Sequence, residues 1–394
     1  MGAKLAAAKA RQACGILEEL GIDCWLVWVR ETDQIVDPML RVVYDGAFVW
    51  QTALLLTSLG ERIAIVGRHD AVGIPDGAFD RVVPYDEGIS STLREELARL
   101  DPARIAIDVS ESDVASDGMT AGMRRLLDRY LEGSPYGGRL EPAEGLIAKL
   151  RGRKLPKEVE RIRRAVRATE EIFTELHKQL RVGLAETEIH EMVHEMMAER
   201  GVTDAWAADH NPAVDAGPDK AFGHGGPSSE TTRRGHLLHL DFGVKVDGYA
   251  SDLQRMFFFG EPDEIPGEVQ RAFDTVRAAI VAAAEALRPG RVGHEIDAIA
   301  RSTVTAAGYP EYAHALGHQV GRSAHDGGVL LGPRWERYGT TPDGEVEAGN
   351  VFTLELEVPT ERFGEVSLEE DVLVTETGCE FLSTPQTALR CVED

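Results

Sequence analysis

Cysteine is scarce in this chain and long apolar runs are missing, and each absence limits what the protein can be. The four cysteines among 394 residues form no CxxC pair, which excludes a zinc knuckle and a dithiol redox motif. Their low density does not suit a disulfide-stabilised secreted scaffold, so we expect buried free thiols in a cytoplasmic protein. No segment approaches the roughly 20 apolar residues that cross a bilayer, and the first residues read as a charged helix rather than a signal segment. We therefore expect no membrane partner.

Basic residues are also too few to balance the acidic ones. The chain has 42 Lys and Arg against 67 Asp and Glu, a formal net charge of −25. An acidic surface repels phosphate backbones, so we expect no nucleic-acid partner. The excess of acid is typical of a soluble surface, and part of it is expected to be carboxylates that bind metal ions.

A chain of this length is long for one hydrophobic core, which predicts two domains. Residues 1–150 are predicted to form an α/β domain, because helical and strand patterns alternate along them. The predicted elements are a helix over 4–21, strands over 23–29, 47–56, 61–67 and 104–109, and a helix over 118–131. A segment rich in Gly, Ser and Pro, followed by a basic stretch, places the boundary near residue 150.

The second predicted domain, residues 151–394, contains an internal repeat after a long predicted helix over 156–181. Gly183 precedes Glu188-Ile189 and Gly201, and the same glycine, Glu-Ile and glycine spacing recurs at Gly290, Glu295-Ile296 and Gly308. Each segment is typical of an amphipathic helix closed by a glycine. We therefore expect an α+β domain built from two pseudo-symmetric halves, with a functional cleft between them.

A match to the HExxH motif is not interpreted as a zinc site. His190-Glu191-Met-Val-His194 matches the HExxH signature of zinc proteases. No further histidine or acidic ligand follows at the spacing that those enzymes need. The histidines lie beside an apolar stripe, so we interpret them as the flank of a helix.

A hairpin is predicted over residues 237–259, because Asp247-Gly248 is a strong two-residue turn signal. With those residues in the turn, Gly243 lies opposite Asp252, and Asp241 is a diagonal neighbour on the same face. Both aspartates stand in apolar strands, where an unpaired carboxylate is costly and a cation removes the cost. We expect Gly243 to leave room for that ion.

Three later segments add the remaining candidate ligands. His314, His318 and His325 fall within 12 residues punctuated by glycine, and Glu355 and Glu369 stand in short apolar runs. Four carboxylates and one imidazole would neutralise two divalent ions, which would supply a nucleophile near neutral pH. Such oxygen-rich ligands favour Mn²⁺, with Co²⁺, Zn²⁺ or Fe²⁺ as alternatives.

With these motifs in order, the sequence resembles the pita-bread metallopeptidases, which include methionine aminopeptidase, aminopeptidase P, prolidase and creatinase. The resemblance implies a creatinase-type, ribonuclease-H-like domain over 1–150 and a pita-bread catalytic domain over 151–394. It implies that two metal ions are bound by five residues: Asp241, Asp252, His318, Glu355 and Glu369.

The resemblance also implies roles for residues around the metals. His325 and His224 match catalytic histidines that contact the substrate, and Glu355 matches a proton shuttle. Tyr249 and His314 match substrate-binding residues, and His314 is typical of the proline-specific branch.

Several positions depart from the family pattern. Many relatives have an arginine where this chain has Ser367 and a threonine where it has Gln254, and a Glu-Pro-Gly is replaced by Glu355-Leu-Glu357. For the terminus of a substrate, the candidate partners are Arg322, Arg334, Arg337, Asp37 and Arg41, each with a surface charge as the simpler interpretation.

The resemblance implies a peptidase that hydrolyses Xaa-Pro bonds in small peptides, and we favour an Xaa-Pro dipeptidase (prolidase). The alternatives are an aminopeptidase P acting on longer peptides, and a creatinase-fold enzyme acting on a non-peptide C–N or C–S bond. A catalytically inactive binding module is a further class, disfavoured because all five ligands are present. The resemblance also implies a homodimer.

Overall fold

In a computed structural model, which describes residues 2–218 and 225–393, the chain divides into two compact units. The first is Met1–Arg151 and the second is Gly152–Asp394. No helix within the described residues has both the length and the apolarity needed to cross a membrane.

The first unit is built on a six-stranded sheet with the order β4-β3-β2-β1-β5-β6. Strands β1, β2 and β3 pair antiparallel, whereas β3–β4, β1–β5 and β5–β6 are parallel. The strands are β1 (Cys24–Val29), β2 (Thr52–Thr57), β3 (Arg62–Gly67), β4 (Arg81–Tyr85), β5 (Ile105–Ile107) and β6 (Leu140–Pro142). The helices are α1 (Ala3–Leu20), α2 (Leu40–Val43), α3 (Arg68–Ala71), α4 (Ser90–Leu100), α5 (Ala121–Leu131) and α6 (Glu144–Gly152).

Both faces of this sheet are covered by helices, which explains why its central strand is apolar throughout. Every residue of β1 is buried. Alternate side chains point to opposite faces, so Trp25 packs with residues of α1 and α6, and Trp28 with residues of α4 and α5. Cys14 and Cys24 are buried free thiols of this unit, as expected, whereas Cys379 and Cys391 of the second unit are free but only half-buried.

A pair of buried carboxyls, Asp37 and Asp108, lies inside the first unit. Asp37 accepts the backbone N–H groups of Met39 and Leu40, both at 2.8 Å, and Asp108 accepts Trp25 Nε1 at 2.6 Å. Burial raises the pKa of both acids, and for Asp108 the charge of Asp37 raises it further. Asp37 is 3% exposed, so it is a buried helix cap rather than a surface charge.

The second unit combines a large mixed sheet with a small antiparallel one. The large sheet has the order β13-β14-β12-β9-β8, with β15 added to β14 and β16 to β12, and the small sheet has the order β11-β10-β7. The strands are β7 (Thr203–Asp204), β8 (Ala213–Ala216), β9 (Leu237–Phe242), β10 (Val244–Val246), β11 (Tyr249–Ala250), β12 (Leu253–Phe259), β13 (Val351–Pro359), β14 (Glu365–Val374), β15 (Cys379–Phe381) and β16 (Arg390–Val392). The helices are α7 (Pro156–His177), α8 (Glu186–Arg200), α9 (Gly267–Ala286) and α10 (Gly293–Ala306).

The sequence repeat corresponds to two helices with the same start. Glu188 of α8 and Glu295 of α10 each accept the N–H of the residue that precedes the helix, at 2.8 and 3.4 Å. The isoleucine that follows each glutamate is fully buried. Gly201 ends α8 with a φ of 63°, and Gly308, with a φ of 90°, lies two residues beyond the end of α10. The spacing therefore records a shared helix-capping pattern in the two halves.

The buried pair in the first unit gives a prediction about stability and pH. The Oδ2 atoms of both acids are buried without a hydrogen-bond donor, and a proton retained on Asp108 would let it donate to Asp37. A raised pKa in the folded state stabilises the fold at low pH and destabilises it as the pH rises. Asp108→Asn provides a permanent hydrogen-bond donor. At pH 8 we therefore expect the free energy of unfolding of this variant to be about 1 kcal/mol higher than that of the native chain. The advantage should shrink toward pH 5.

Urea unfolding followed by tryptophan fluorescence at pH 5 and pH 8 measures this difference. Asp113→Asn is the matched control, since Asp113 is likewise a buried aspartate that accepts an N–H, that of Ala115 at 2.9 Å. The shared proton is refuted by an Asp108→Asn chain that is no more stable than the native chain at pH 8.

Candidate metal centre

The predicted hairpin is present with the predicted register. Val246 pairs with Tyr249 next to the turn, and Phe242 pairs with Leu253 further along. Asp247 and Gly248 both have positive φ, 49° and 78°, as the tight turn of a two-residue hairpin requires. The hairpin is shared between two sheets, because β10 and β11 belong to the small sheet and β9 and β12 to the large one.

The role expected for Gly243 is wrong. A Cβ atom at this position would lie 1.8 Å from the carbonyl oxygen of Ser251. The space beside Gly243 is therefore filled by the backbone of the opposite strand rather than by an ion. The glycine permits this close approach of two strands at the point where the hairpin passes from one sheet to the other.

Four polar side chains form a row across the large sheet. Asp241 of β9 lies opposite Gln254 of β12, Gln254 lies opposite Glu369 of β14, and Glu369 lies opposite Glu355 of β13. Directly opposed residues on neighbouring strands project to the same face, and neighbouring strands are about 4.8 Å apart. Strand pairing therefore brings together carboxylates that are far apart in the sequence. Asp252, two residues before Gln254, joins them from the position just before β12.

His318 reaches this face from a loop that follows the edge of β13. Its backbone N–H donates to Thr353 Oγ1 at 3.1 Å, and its carbonyl accepts the Thr353 N–H at 2.9 Å. Its Nε2 lies 3.4 Å from Glu355 Oε1 and 3.8 Å from Asp252 Oδ2. The loop thus adds an imidazole to the row of carboxylates.

Helix α10 fixes the start of the same loop through a buried ion pair. Arg301 Nε lies 2.6 Å from Asp297 Oδ2. Asp297 Oδ1 accepts the N–H of Leu316 at 3.1 Å, and Arg301 donates to the carbonyls of Tyr312 and His314. The second half of the domain therefore positions the histidine that completes the cluster.

The donor set fits divalent ions. Asp252, His318 and Glu369 each offer a ligand atom, and within residues 2–218 and 225–393 these three atoms form the one such group with all separations within 4.8 Å. Asp241 Oδ1 and Glu369 Oε2 are buried and accept no hydrogen bond. Buried carboxylate oxygens without donors are costly, and a bound cation would remove that cost.

The pKa values of the acids also show that negative charge is costly at this site. Burial raises the pKa of Asp241 to about 6 and that of Glu355 to about 7. Burial also raises the pKa of Asp252 and Glu369 well above the usual range, and the charges of the neighbouring carboxylates add to the effect. The site therefore resists holding four negative charges by itself.

The pKa of His318 moves in the opposite direction. Burial, followed by the charge of His325, lowers it to about 3. The ring is therefore neutral at physiological pH, which is the form that coordinates a metal ion. Three of the five predicted ligands form this close group, Glu355 lies 3.4 Å from His318, and Asp241 stands at the β9 end of the same row. Asp252 and Glu369 are buried, and the other three are partly exposed.

Two further predicted histidines lie beside the cluster. The His325 ring is 4.1 Å from that of His318, edge to face, and the residue is exposed. The turn that contains His325 is held by Asp326. This aspartate accepts the N–H groups of Arg322 and Ser323 and pairs with Lys154.

His314 is tied to Glu357, which is two residues from Glu355 on the same strand. Burial alone would lower the pKa of His314, but the hydrogen bond to Glu357 and the charge of Glu355 raise it to about 9. The ring is therefore a cation at the edge of the acidic cluster.

The structure does not bring Tyr249 into the cluster. Its side chain is fully buried, and its hydroxyl donates to Glu158 Oε1 at 2.8 Å. His224, the remaining predicted catalytic and substrate-binding residue, lies outside the described residues.

The charged candidates for a substrate terminus have partners of their own. Arg334 Nε lies 2.5 Å from Asp343 Oδ1, and Arg337 donates to the carbonyl of Ala313 while its guanidinium stacks on Trp335. In the first unit, exposed Arg41 lies 3.5 Å from Asp33. These contacts agree with the simpler interpretation of these arginines as surface charges.

Four buried polar residues adjoin the ligands: Asp215, His239, Gln254 and Ser367. Sequence reasoning noted Gln254 and Ser367 only as departures from the family pattern, and it missed Asp215 and His239. Gln254 donates to Glu355 Oε2 at 3.1 Å and accepts from Ser367 Oγ at 2.5 Å. His239 lies 3.0 Å from Gln254 Oε1 and 3.0 Å from Asp215 Oδ2. Their signal was present, because three of them stand two residues from a ligand in an apolar strand and so share its face.

The rejected HExxH motif has a structural role. The His190 ring contacts the carbonyl of Ala208 at 2.9 Å, and the His194 ring contacts Asp204 Oδ1 at 3.1 Å. The two rings lie 4.4 Å apart. These contacts fasten α8 to the segment that follows it, and this histidine pair is separate from the carboxylate cluster.

The chain is similar to known peptidases in sequence and in fold. An uncharacterised peptidase of Staphylococcus haemolyticus is 28% identical over 336 residues, which are 84% of this chain and 87% of that protein. A protein of Lactobacillus helveticus named Xaa-Pro dipeptidase is 29% identical over 253 residues, 64% of this chain and 65% of that protein.

A similar fold occurs in the crystal structure of an X-Pro aminopeptidase from Thermotoga maritima. The TM-score is 0.71 at 24% identity, covering 97% of this chain and 99% of that one. Residues 160–376 match the sequence profile of metallopeptidase family M24, and this span contains all five predicted ligands. The chain therefore belongs to metallopeptidase family M24.

Proposed function

We propose that this protein is a dinuclear metal-dependent peptidase that hydrolyses Xaa-Pro bonds, and that it acts as an Xaa-Pro dipeptidase. The observation that supports it most is the convergence of four carboxylates and one neutral imidazole on one face of the sheet. Strand pairing places Asp241, Glu355 and Glu369 in one row, and Asp252 and His318 join that row. The name of the Lactobacillus helveticus relative adds support for the dipeptidase.

The five clustered side chains would hold two divalent ions, because four carboxylates balance the four positive charges. Oxygen donors outnumber nitrogen donors, which favours Mn²⁺, with Co²⁺, Zn²⁺ or Fe²⁺ as alternatives. When bound, such ions polarise the scissile carbonyl and lower the pKa of water, which supplies a nucleophile at neutral pH.

The surrounding residues bind the peptide and move its protons. His325 is exposed beside His318, so its N–H can donate to the carbonyl oxygen of the scissile bond. Glu355 lies at the mouth of the cluster, from which its carboxyl can pass a proton to the leaving nitrogen. We include His314 and His224 as further substrate contacts, and we leave Tyr249 out because its hydroxyl is buried against Glu158.

Proline suits a site of this kind because its peptide nitrogen has no hydrogen. A site that offers no acceptor for that hydrogen loses nothing when proline follows the scissile bond. We propose a small peptide as substrate and, from the family resemblance, a homodimer in the cytoplasm.

The choice of substrate is tested with Ala-Pro and Ala-Pro-Ala, each incubated with the Mn²⁺-loaded enzyme. A dipeptidase should cleave Ala-Pro with the higher kcat/KM, by about tenfold or more, because a longer chain loses the contacts made to the free carboxylate. Equal or faster cleavage of the tripeptide would favour an aminopeptidase P. Cleavage of neither peptide would favour a reaction at a non-peptide C–N or C–S bond.

Glu369→Gln tests the metal site through stability as well as activity. Removing one of the mutually repelling buried carboxyls should raise the unfolding free energy of the metal-free chain by on the order of 1 kcal/mol. The native chain should gain about 2.7 kcal/mol from each Mn²⁺ ion at 100 times that ion's Kd, and the variant should lose most of that gain. Its kcat should fall by about 10³-fold, the equivalent of roughly 4 kcal/mol.

Thermal unfolding with EDTA and with Mn²⁺ measures both effects. Asp247→Asn is the control, because Asp247 is an exposed aspartate of the hairpin turn that pairs with Arg164. The metal site is refuted when the native chain shows no rise in its unfolding temperature with Mn²⁺, Co²⁺, Zn²⁺ or Fe²⁺.

His325→Ala tests the substrate contact separately from the metal site. We expect kcat to fall about 10²- to 10³-fold, the usual effect of removing an oxyanion donor, while the metal content stays that of the native enzyme. His190→Ala is the matched control, because this histidine belongs to the rejected motif and should change neither quantity. A His325→Ala enzyme with native kcat would remove His325 from the mechanism.

A further inference from the structure

Gln254 occupies the centre of the row of carboxylates without being one itself. It lies opposite Asp241 on one side and opposite Glu369 on the other. Its side chain is buried, with the residue 7% exposed, and each end of its carboxamide has polar partners. Nε2 donates to Glu355 Oε2 at 3.1 Å, whereas Oε1 accepts from Ser367 Oγ at 2.5 Å and faces His239 Nε2 at 3.0 Å.

The orientation of the Gln254 carboxamide determines whether Glu355 faces a hydrogen-bond donor or an acceptor. Glu355 must be ionised to bind a cation, and an ionised carboxylate needs a donor rather than an acceptor. The observed orientation gives it the N–H of Gln254 at Oε2. The other oxygen, Oε1, is then directed toward His318 Nε2, 3.4 Å away. This hydrogen bond thus holds one oxygen of Glu355 and leaves the other directed toward the cluster.

Gln254 is itself held by a second set of buried groups. Ser367 is 3% exposed and its hydroxyl lies within reach of both Gln254 Oε1 and the Leu356 carbonyl, at 2.5 and 3.2 Å. His239 is 4% exposed, and its other ring nitrogen contacts Asp215 Oδ2 at 3.0 Å. The carboxamide therefore has little freedom to rotate or to move away from Glu355.

Gln254 and Ser367 are two of the positions at which the sequence departs from the pattern of the family it resembles. The resemblance implies an arginine at the position of Ser367 and a threonine at that of Gln254. In the sequence these are two separate substitutions, but in the structure the two side chains are hydrogen-bonded to each other. The two side chains form one hydrogen-bonded group, and Gln254 connects this group to Glu355, a proposed metal ligand.

We propose that Gln254 is a positioning residue that fixes Glu355 in its metal-binding orientation, and that Ser367 and the His239–Asp215 pair fix Gln254. This inference rests on the proposed metal site. Outer residues that orient a metal ligand commonly change metal affinity by about 10- to 100-fold when they are removed.

Metal binding by the full chain tests the proposal without relying on activity. Metal-free protein is titrated with Mn²⁺ by calorimetry and with Co²⁺ by visible absorption, whose bands report the ligand geometry. Gln254→Leu removes both ends of the carboxamide at similar volume, and we expect it to weaken Mn²⁺ binding about 10- to 100-fold and to shift the Co²⁺ bands. Ser367→Ala should weaken binding in the same direction by a smaller factor.

Gln386→Leu is the matched control. Gln386 is a buried carboxamide, 5% exposed, that bonds to both backbone groups of Met256. Its loss should lower the unfolding temperature but leave Mn²⁺ affinity and the Co²⁺ spectrum unchanged, as a structural role predicts.

The outcomes separate this inference from the proposed function. Absence of Mn²⁺ and Co²⁺ binding by the native chain would refute the metal site and the inference with it. Native binding together with Gln254→Leu affinity within threefold of native and an unshifted Co²⁺ spectrum would refute the positioning role alone. Where Gln254→Leu does not fold, the Ser367→Ala chain decides, and its native affinity and spectrum would overturn the proposal.

Discussion

Crowding four carboxylates onto one face of a sheet is unfavourable unless cations share the space, and this constraint governs the second unit. The pKa of each of the four acids is raised by burial. Asp241 Oδ1 and Glu369 Oε2 have no hydrogen-bond donor. A fold that keeps such groups together gives up stability in its metal-free form, which is the usual relation between a functional site and the fold around it.

Hydrophobic alternation along the strands places these carboxylates on one face of the sheet once the strands pair. Leu354, Leu356 and Leu368 pack into the apolar core of the second unit. Because side chains alternate along a strand, Glu355, between Leu354 and Leu356, and Glu369, next to Leu368, must face the other side. A slip of one residue in register would move the leucines to the polar face and the carboxylates into the core. The core therefore sets the register, and the register brings the ligands together.

Sequence reasoning succeeded where the governing interaction is local. The Asp247-Gly248 turn fixes which residues of the hairpin face each other, so the positions of Asp241 and Asp252 followed from a few neighbouring residues. It failed where a distant partner decides. The pairing of Gln254 with Glu369 depends on strands that no local pattern connects. At Gly243 the pairing of the two hairpin strands was predicted, but their close approach to each other was not. In the first unit, the burial of Asp37 beside Asp108 depends on a similar long-range contact, whereas α1 and β1 followed from periodicity.

The polar residues that surround the ligands stand at a fixed spacing from them in the sequence. His239 stands two residues from Asp241, Gln254 two from Asp252, and Ser367 two from Glu369. In a strand whose other face is apolar, a polar residue at this spacing must share the face of the ligand and has no solvent to satisfy it. Such residues therefore have to bond to one another or to the ligands, as these three do. Since they occupy one small buried volume, a change at one of them alters the partners of the others, so their identities are expected to change together rather than singly.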